Sequence, residues 1–548
     1  MSLNITGIAR GLANTTLSSL ASAAEGGLAN TTLSNLVSAV GGGEQLQDKA
    51  SEQLRDYSES QKAGRKILKS ASGRPLGSLR SLTAGPRGPM LLQDTVYIEE
   101  LSHFNRERIP ERVVHVKGNG AFGYFEVTDD VTQYTKAKLF SEVGKRTPIA
   151  VRFSLAAQDR GGPDTDRDLR GFAIKFYTEE GNWDLVGIHV PVFPIRDPIA
   201  FPSFAHSLKR NPVTNFQDLN MAWDIFSLQP EGLNLLMYFF SDQGIPESYR
   251  NMDGFGVNTF KLVNESGKIF YCKFSYLTDQ GKKNMFTEKA VLTGAVMPDN
   301  HGKDLYNAIE NGKFPSWTFY IQVMTPEEAK NNSFNPFDPT KLWPESQYPK
   351  IKVGKLVLNK NPSNYFAEVE QLAFNPGNFV PGIEASPDKI LQGRLFAYAD
   401  TQRYRLGTNF EQLPVNCPFR SRPRNYQRDG MATVTDNQDG APNYYPNSFG
   451  GPEGDPKAEE SIFDVHGEVA RYDFSDDDNF SQAREFYRQL PEDEKLRLVQ
   501  NIFLSIANVE KFIQERQIGN FNQVDPELGE RVRVALLAAP LVPDLSQV

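Results

Sequence analysis

Arg394 and Tyr398 stand four residues apart, the spacing that puts two side chains on one face of a helix. A guanidinium beside a phenol favours the phenolate, and a phenolate is an anionic ligand for a ferric ion. Taken alone, the pair is better read as an ordinary amphipathic helix with a boundary tyrosine. His115 is the second candidate. It sits between Val114 and Val116, in what reads as a short extended run ahead of the glycine-rich stretch from Gly118 to Gly123. A buried, neutral imidazole there can pass a proton to or from a small ligand, although a histidine satisfied inside a core has the same sequence signature. In the run from Pro148 to Ser154, Ile149, Val151 and Phe153 alternate with Ala150, Arg152 and Ser154. That period of two places Arg152 and Ser154 on one face of a strand.

These residues need elements to hold them. Ser386 and Pro387 offer an N-cap and a first-turn proline, after which Leu391, Arg394, Leu395 and Tyr398 follow at helical spacing. Phe172, Ile174 and Phe176 repeat the strand alternation, as do Ile269 to Tyr276 and Trp317 to Met324. Such strands over roughly 200 residues, with few helical patterns between them, predict an antiparallel barrel or sandwich. Beyond Asn361 the periodicity lapses into a long Pro-, Asn- and Gly-rich stretch, of a kind that is functional or packed on a partner. The chain ends in helices, one opening at Pro491 and carrying Leu496, Val499, Ile502, Phe503 and Ile506 as its stripe, another from about Pro526 to Ala539. A charged helix is expected from 46 to about 70, with Arg65, Lys66 and Lys69 on its solvated face, and Gly85-Pro-Arg-Gly-Pro breaks the chain after it.

The first 45 residues are different. They carry a direct repeat, Gly11-Leu-Ala-Asn-Thr-Thr-Leu recurring from Gly27, in a small-residue composition suited to a disordered or weakly helical tail. An amphipathic pair of helices contacting an unknown partner is one alternative, and a mitochondrial presequence, with Arg10 as the only basic residue before Lys49, is another.

Composition removes several classes of function. A net charge of −9 with no long basic run argues against nucleic acid as a partner. No apolar stretch approaches the ~18–20 residues needed to span a bilayer. Two cysteines, Cys272 and Cys417, cannot make a disulfide framework, and an intracellular, reducing setting is expected. Six histidines without an H-E-x-x-H pair leave little for a multi-histidine metal site. No secretory signal is evident, and the end at Leu545-Ser-Gln-Val does not resemble the Ser-Lys-Leu peroxisomal signal, so the cytoplasm is the expected compartment.

From about Gly85 to Phe521 the chain resembles the haem catalase family. The run from Arg106 to Gly123 is similar to that family's distal motif, and Arg394 to Tyr398, with Asp400 and Arg405 beyond, to its proximal motif. Phe334-Asn-Pro-Phe-Asp, Phe374-Asn-Pro-Gly-Asn, Gly382-Ile-Glu-Ala-Ser-Pro and Gly440-Ala-Pro-Asn-Tyr-Tyr-Pro-Asn-Ser-Phe belong to the same resemblance. It implies an α+β chain: an eight-stranded antiparallel barrel with an N-terminal arm, a wrapping loop and a C-terminal helical domain. The corresponding divisions are an extension over 1–45, the arm over 46–112, the barrel over 113–360, the loop with the ligand helix over 361–477, and the helical domain over 478–548. The resemblance further implies a homotetramer with haem b in each chain, iron bound by Tyr398 with Arg394 as its charge partner. Arg112, Arg152 and Arg405 would hold the haem propionates, with Val114 and Phe201 packing on the haem. His115, oriented by Ser154, would move a proton between the two oxygens of hydrogen peroxide.

Two positions depart from the family's pattern. Trp183-Asp-Leu-Val-Gly-Ile-His has Ile188 where an asparagine stands beside the distal histidine, and Ile188 cannot donate to bound peroxide. His189 follows it, but strand neighbours point to opposite faces. In Gly256-Val-Asn-Thr-Phe, Asn258 stands where a histidine commonly bridges the arginine to the aspartate matched by Asp388. Asn234, Gln243, Ser275 and Leu277 replace residues of a surface NADPH pocket, so NADPH binding is not expected. Peroxide decomposition, weakened by Ile188 and Asn258, is the leading expectation. Conversion of organic or fatty-acid hydroperoxides and a catalytically weak haem-carrying or structural role stand as alternatives.

Overall fold

A computed structural model of the chain describes residues 46–474 and 477–538; the N-terminal repeat and the last ten residues lie outside the described residues. Among the described residues ten strands occur in chain order: β1 Gly118–Val127, β2 Arg146–Leu155, β3 Arg170–Thr178, β4 Gly181–Ile188, β5 Gly254–Phe255, β6 Phe260–Val263, β7 Ile269–Thr278, β8 Ser316–Met324, β9 Ile351–Lys360 and β10 Ile383–Ala385. Every pairing is antiparallel. The order β1-β2-β3-β4-β5-β7-β8-β9 returns to β1, closing an eight-stranded barrel that leaves no edge in the ring. β6 continues β5 along the same side of β7 after a break at residues 256–259, and β10 pairs with β6.

The alternation seen in the sequence divides the barrel wall. Phe125, Phe153, Phe172, Phe176, Trp183, Trp317 and Phe319 turn inward and are fully buried. Each such ring withdrawn from water contributes about 1.5–3 kcal/mol. The intervening residues face outward, and one row of that outer face runs Gly118, Ser154, Gly171, Ile188, Phe255 across five strands.

More helix interrupts the strands than the sequence pattern suggests. Phe201–Ser207, Leu219–Leu228 and Leu233–Phe240 lie between β4 and β5, and Thr287–Val296 and Asn300–Glu310 between β7 and β8. The first three join the C-terminal helices Ser481–Gln489, Glu492–Ile506, Lys511–Val524 and Pro526–Ala538 in a second core around Trp223, Phe240, Ile502 and Phe521. Their apolar residues are buried against helices distant in sequence, a pairing that no local pattern carries. The charged N-terminal helix is shorter than expected. It spans Lys49–Ser60, and Gly64, at φ 144°, lies in a backbone region closed to other residues. Arg65, Lys66 and Lys69 therefore lie on exposed non-helical chain, not on a helix face.

The helix that carries Tyr398 runs Lys389–Leu406, and its cap is Asp388 rather than Ser386. Asp388 Oδ1 accepts from the Leu391 amide at 3.0 Å, and Ser386 Oγ accepts from the Asp388 amide at 3.1 Å.

Candidate active site

Ser154 projects from the outer face of β2, and its hydroxyl lies 3.0 Å from His115 Nδ1. His115 is not extended as its flanking valines suggest. Its φ is 63°, in the left-handed region that a histidine seldom occupies. Two features hold it there. Its amide donates to the Ala156 carbonyl at 3.0 Å, and Arg152 donates to its carbonyl at 2.9 Å and to that of Val116 at 3.0 Å. Gly171 supplies the space: a Cβ there would lie 2.4 Å from Ser154 Oγ and 2.8 Å from His115 Nδ1. A glycine inside a strand is the sequence sign of such close approach, and Gly171 between Arg170 and Phe172 carries that sign.

Burial, reinforced by the Arg152, Arg394 and Arg112 cations, lowers His115 to about 3. An unperturbed histidine titrates near ~6.5, so this imidazole stays neutral through the whole range in which a free one gains its proton. A step that needs neutral His115 should therefore run at a constant rate from pH 8 down to pH 5, falling only as pH approaches 3. A kcat/KM profile tests this; an acid limb centred near ~6.5 would contradict it.

Ile188 lies on the same outer row, opposite Gly171, and is buried with Leu169, Val190, Val192, Leu235 and Val257. This corner offers no donor from Ile188. His189 does not replace one. Its Nδ1 accepts from the Arg170 amide at 3.0 Å and its Nε2 lies 3.1 Å from the Gln243 carbonyl, so both nitrogens are engaged on the other face. Phe201 is half-buried and stacks on Phe193, which packs against the Ile188 cluster. Val114 is half-buried beside His115.

On the helix, Arg394 Nη2 donates to the Tyr398 hydroxyl oxygen at 3.3 Å and to the Val186 carbonyl of β4 at 2.7 Å. Arg394 Nη1 donates to Asn258 Oδ1, and Asn258 Nδ2 donates to Asp388 Oδ2 at 2.9 Å. Tyr398, Arg394, Asn258 and Asp388 thus form one continuous chain of hydrogen bonds, with an amide at its centre. Burial raises Asp388, against the amide donors of Leu391 and Thr259 and the side chain of Asn258.

Arg112, Arg152 and Arg405 converge although they come from the arm, from β2 and from the helix. The Arg152 and Arg405 cations join burial in lowering Arg112. Most of their N–H groups donate to carbonyls: Arg112 Nη2 to Val369, Glu370 and Leu372, and Arg405 Nη1 to Glu370 at 2.7 Å. Arg112 Nη1 and Arg152 Nε are buried and have no hydrogen-bond partner among the described residues. Among the described residues, the carboxylate paired with Arg112 Nη1 is that of Glu370, at 3.7 Å. Clustered guanidiniums with donors to spare suit an anionic, carboxylate-bearing group.

No group of three or more His, Cys, Asp or Glu side chains that could hold a metal occurs among the described residues.

A family model described as Catalase matches residues 69–451, and a second, described as Catalase-related immune-responsive, matches residues 474–536. A catalase of Glandirana rugosa is 57% identical over 493 residues, covering 89% of this chain and 93% of its own length. A catalase of Drosophila melanogaster is 55% identical over 487 residues, covering 88% and 96%. Among solved structures, catalase A from Saccharomyces cerevisiae aligns with a TM-score of 0.84 at 43% identity, over 86% of this chain and 99% of that one.

Proposed function

This chain belongs to the catalase family and is an oxidoreductase that decomposes hydrogen peroxide, and we propose that it does so at a haem held between the outer face of its barrel and the helix Lys389–Leu406. The observation that carries this site is the meeting of the Tyr398–Arg394 pair with the arginines Arg112, Arg152 and Arg405, of which Arg112 and Arg152 each keep a buried N–H without a hydrogen-bond partner among the described residues. Tyr398 is the iron ligand. Arg112, Arg152 and Arg405 receive the propionates, and Val114 and Phe201 supply apolar contact. When bound, haem iron supplies the change of oxidation state that lets one peroxide be reduced and a second oxidised.

The chain's own residues do the rest. His115, neutral and half-buried, takes the proton from one peroxide oxygen and returns it to the other, so that water leaves. Ser154 engages Nδ1 and fixes the ring, which leaves Nε2 for peroxide. Arg394 offsets the negative charge of Tyr398 as a tyrosinate. The apolar cluster around Ile188 keeps bulk water from the reacting oxygens. The same cluster favours a second reading, in which an alkyl hydroperoxide is also accepted, because Ile188 presents methyl groups where a donor would prefer a small polar substrate.

Haem b and a homotetramer complete the proposal. NADPH is left out of it, since Asn234, Gln243, Ser275 and Leu277 offer no cation to a phosphate and Asn234 is committed to the Thr340 carbonyl and Gln482. No helix among the described residues is long and apolar enough to cross a membrane. Cys272 and Cys417 are both free thiols, in keeping with an intracellular, reducing site of action.

The test is Tyr398→Phe. Phenylalanine has no oxygen to give, so the tyrosinate-to-iron charge-transfer absorption should vanish and oxygen release per haem should fall with it. An unchanged haem spectrum would remove Tyr398 from the iron.

A further inference from the structure

The break between β5 and β6 is strained. Val257 has φ 51°, and the Asn258 amide donates to the Gly256 carbonyl at 2.6 Å, closing a three-residue turn. A β-branched residue in the left-handed region is an outlier, and it persists only where its surroundings fix it. Two groups fix this one. The Val257 side chain is buried in the apolar cluster with Ile188. Its carbonyl accepts from Lys273 Nζ at 2.7 Å. Lys273 comes from the outer face of β7 and is buried, 8% exposed; burial disfavours its charge, the Asp388 and Asp338 carboxylates favour it, and its ammonium lies 5.9 Å from the Trp343 ring. A lysine taken out of water needs a reason to be there, and its shortest hydrogen bond is spent on the one strained residue that precedes Asn258.

We infer that Lys273 is a positioning residue for the iron ligand: its ammonium clamps the Val257 carbonyl, and the turn so held aims Asn258 between Arg394 and Asp388. From this turn Asn258 reaches both, Oδ1 accepting from Arg394 and Nδ2 donating to Asp388. Lys273 touches neither Tyr398 nor Arg394, so its effect passes through Asn258. The turn is also where the two halves of the site meet, because Val257 packs beside Ile188 while its neighbour Asn258 supports the Tyr398 side. The inference rests on Tyr398 as the iron ligand.

The experiment compares the tyrosinate-to-iron charge-transfer band and the ferric electron paramagnetic resonance signal of haem-loaded full-length variants. Lys273→Met is expected to shift the band and broaden the signal. Lys261→Met, which removes another buried lysine paired with Glu384 on adjacent β6, is expected to leave both as in the parent. Val257→Gly supplies the decisive background, because glycine takes a positive φ without a clamp. There Lys273→Met should shift the band by less than half as much. If Lys273→Met alone does not load haem, the Val257→Gly, Lys273→Met double variant should load it and show a near-parental band. A parental band in haem-loaded Lys273→Met, an equal shift in both backgrounds, or a double variant that still fails to load haem overturns the inference. Tyr398→Phe run alongside separates the two claims. A band unmoved by Tyr398→Phe fails the ligand reading; a band moved by Tyr398→Phe but not by Lys273→Met fails this inference alone.

Discussion

Replacing His115 with alanine should lower oxygen release from hydrogen peroxide, per haem, by about 10²–10⁴-fold, the usual worth of a positioned proton carrier. The haem spectrum should change little, because His115 is not among the residues proposed to hold the iron or the propionates. Ser154→Ala should cost less. It removes the hydroxyl 3.0 Å from Nδ1 and leaves the ring in place, held by the Ala156 and Arg152 bonds to its backbone. Oxygen-electrode rates on haem-quantified protein decide the matter. A His115→Ala variant with near-parental turnover would mean that the proton moves by another route.

Ile188→Asn should act in the opposite direction, raising peroxide turnover by about 10²-fold if a missing donor limits the parent. The position suits the change. Ile188 faces the same way as Ser154 and Gly171, and an asparagine there would bring its amide to the side of the sheet on which His115 lies. The amide would also enter the cluster with Val190, Val192 and Leu235, so part of the gain would be offset by burying a polar group. With an alkyl hydroperoxide as substrate the sign should reverse. A variant that turns over both peroxides as the parent does would show that Ile188 sets neither rate nor preference.

Some of this site is legible in the sequence because it depends on short-range geometry. The period of two placed Arg152 and Ser154 on one face, and the four-residue step placed Arg394 beside Tyr398; both relations hold in the fold. The opposition of Ile188 and His189 across a strand follows from the same rule, and His189 is turned away and engaged by Arg170 and Gln243. Other features depend on long-range approach and carry no local mark. The left-handed backbone of His115 is set by Arg152, the space beside it by Gly171, and the turn at Val257 by Lys273 from another strand. The valines around His115 point to an extended run because nothing nearby in sequence opposes one. The convergence of Arg112, Arg152 and Arg405 is a property of the folded chain alone.

The closing pair of the barrel joins β1 to β9, Phe122 opposite Lys360, so its two partners are made at very different times. A ribosome adding about 5–20 residues per second delivers β1 many seconds before β9. Until then β1 exposes an unpaired edge, together with aromatic residues of the barrel wall that later lie inside. Tyr398 and Arg405 come later still, beyond β9, while His115, Ser154 and two of the arginines are already present. The birth order of the chain thus imposes a sequence of events. The barrel can shut before the last wall of the pocket exists, and the cofactor cannot be locked in place until that wall arrives. A nascent chain arrested before residue 389 should already resist proteolysis across the barrel yet fail to retain haem.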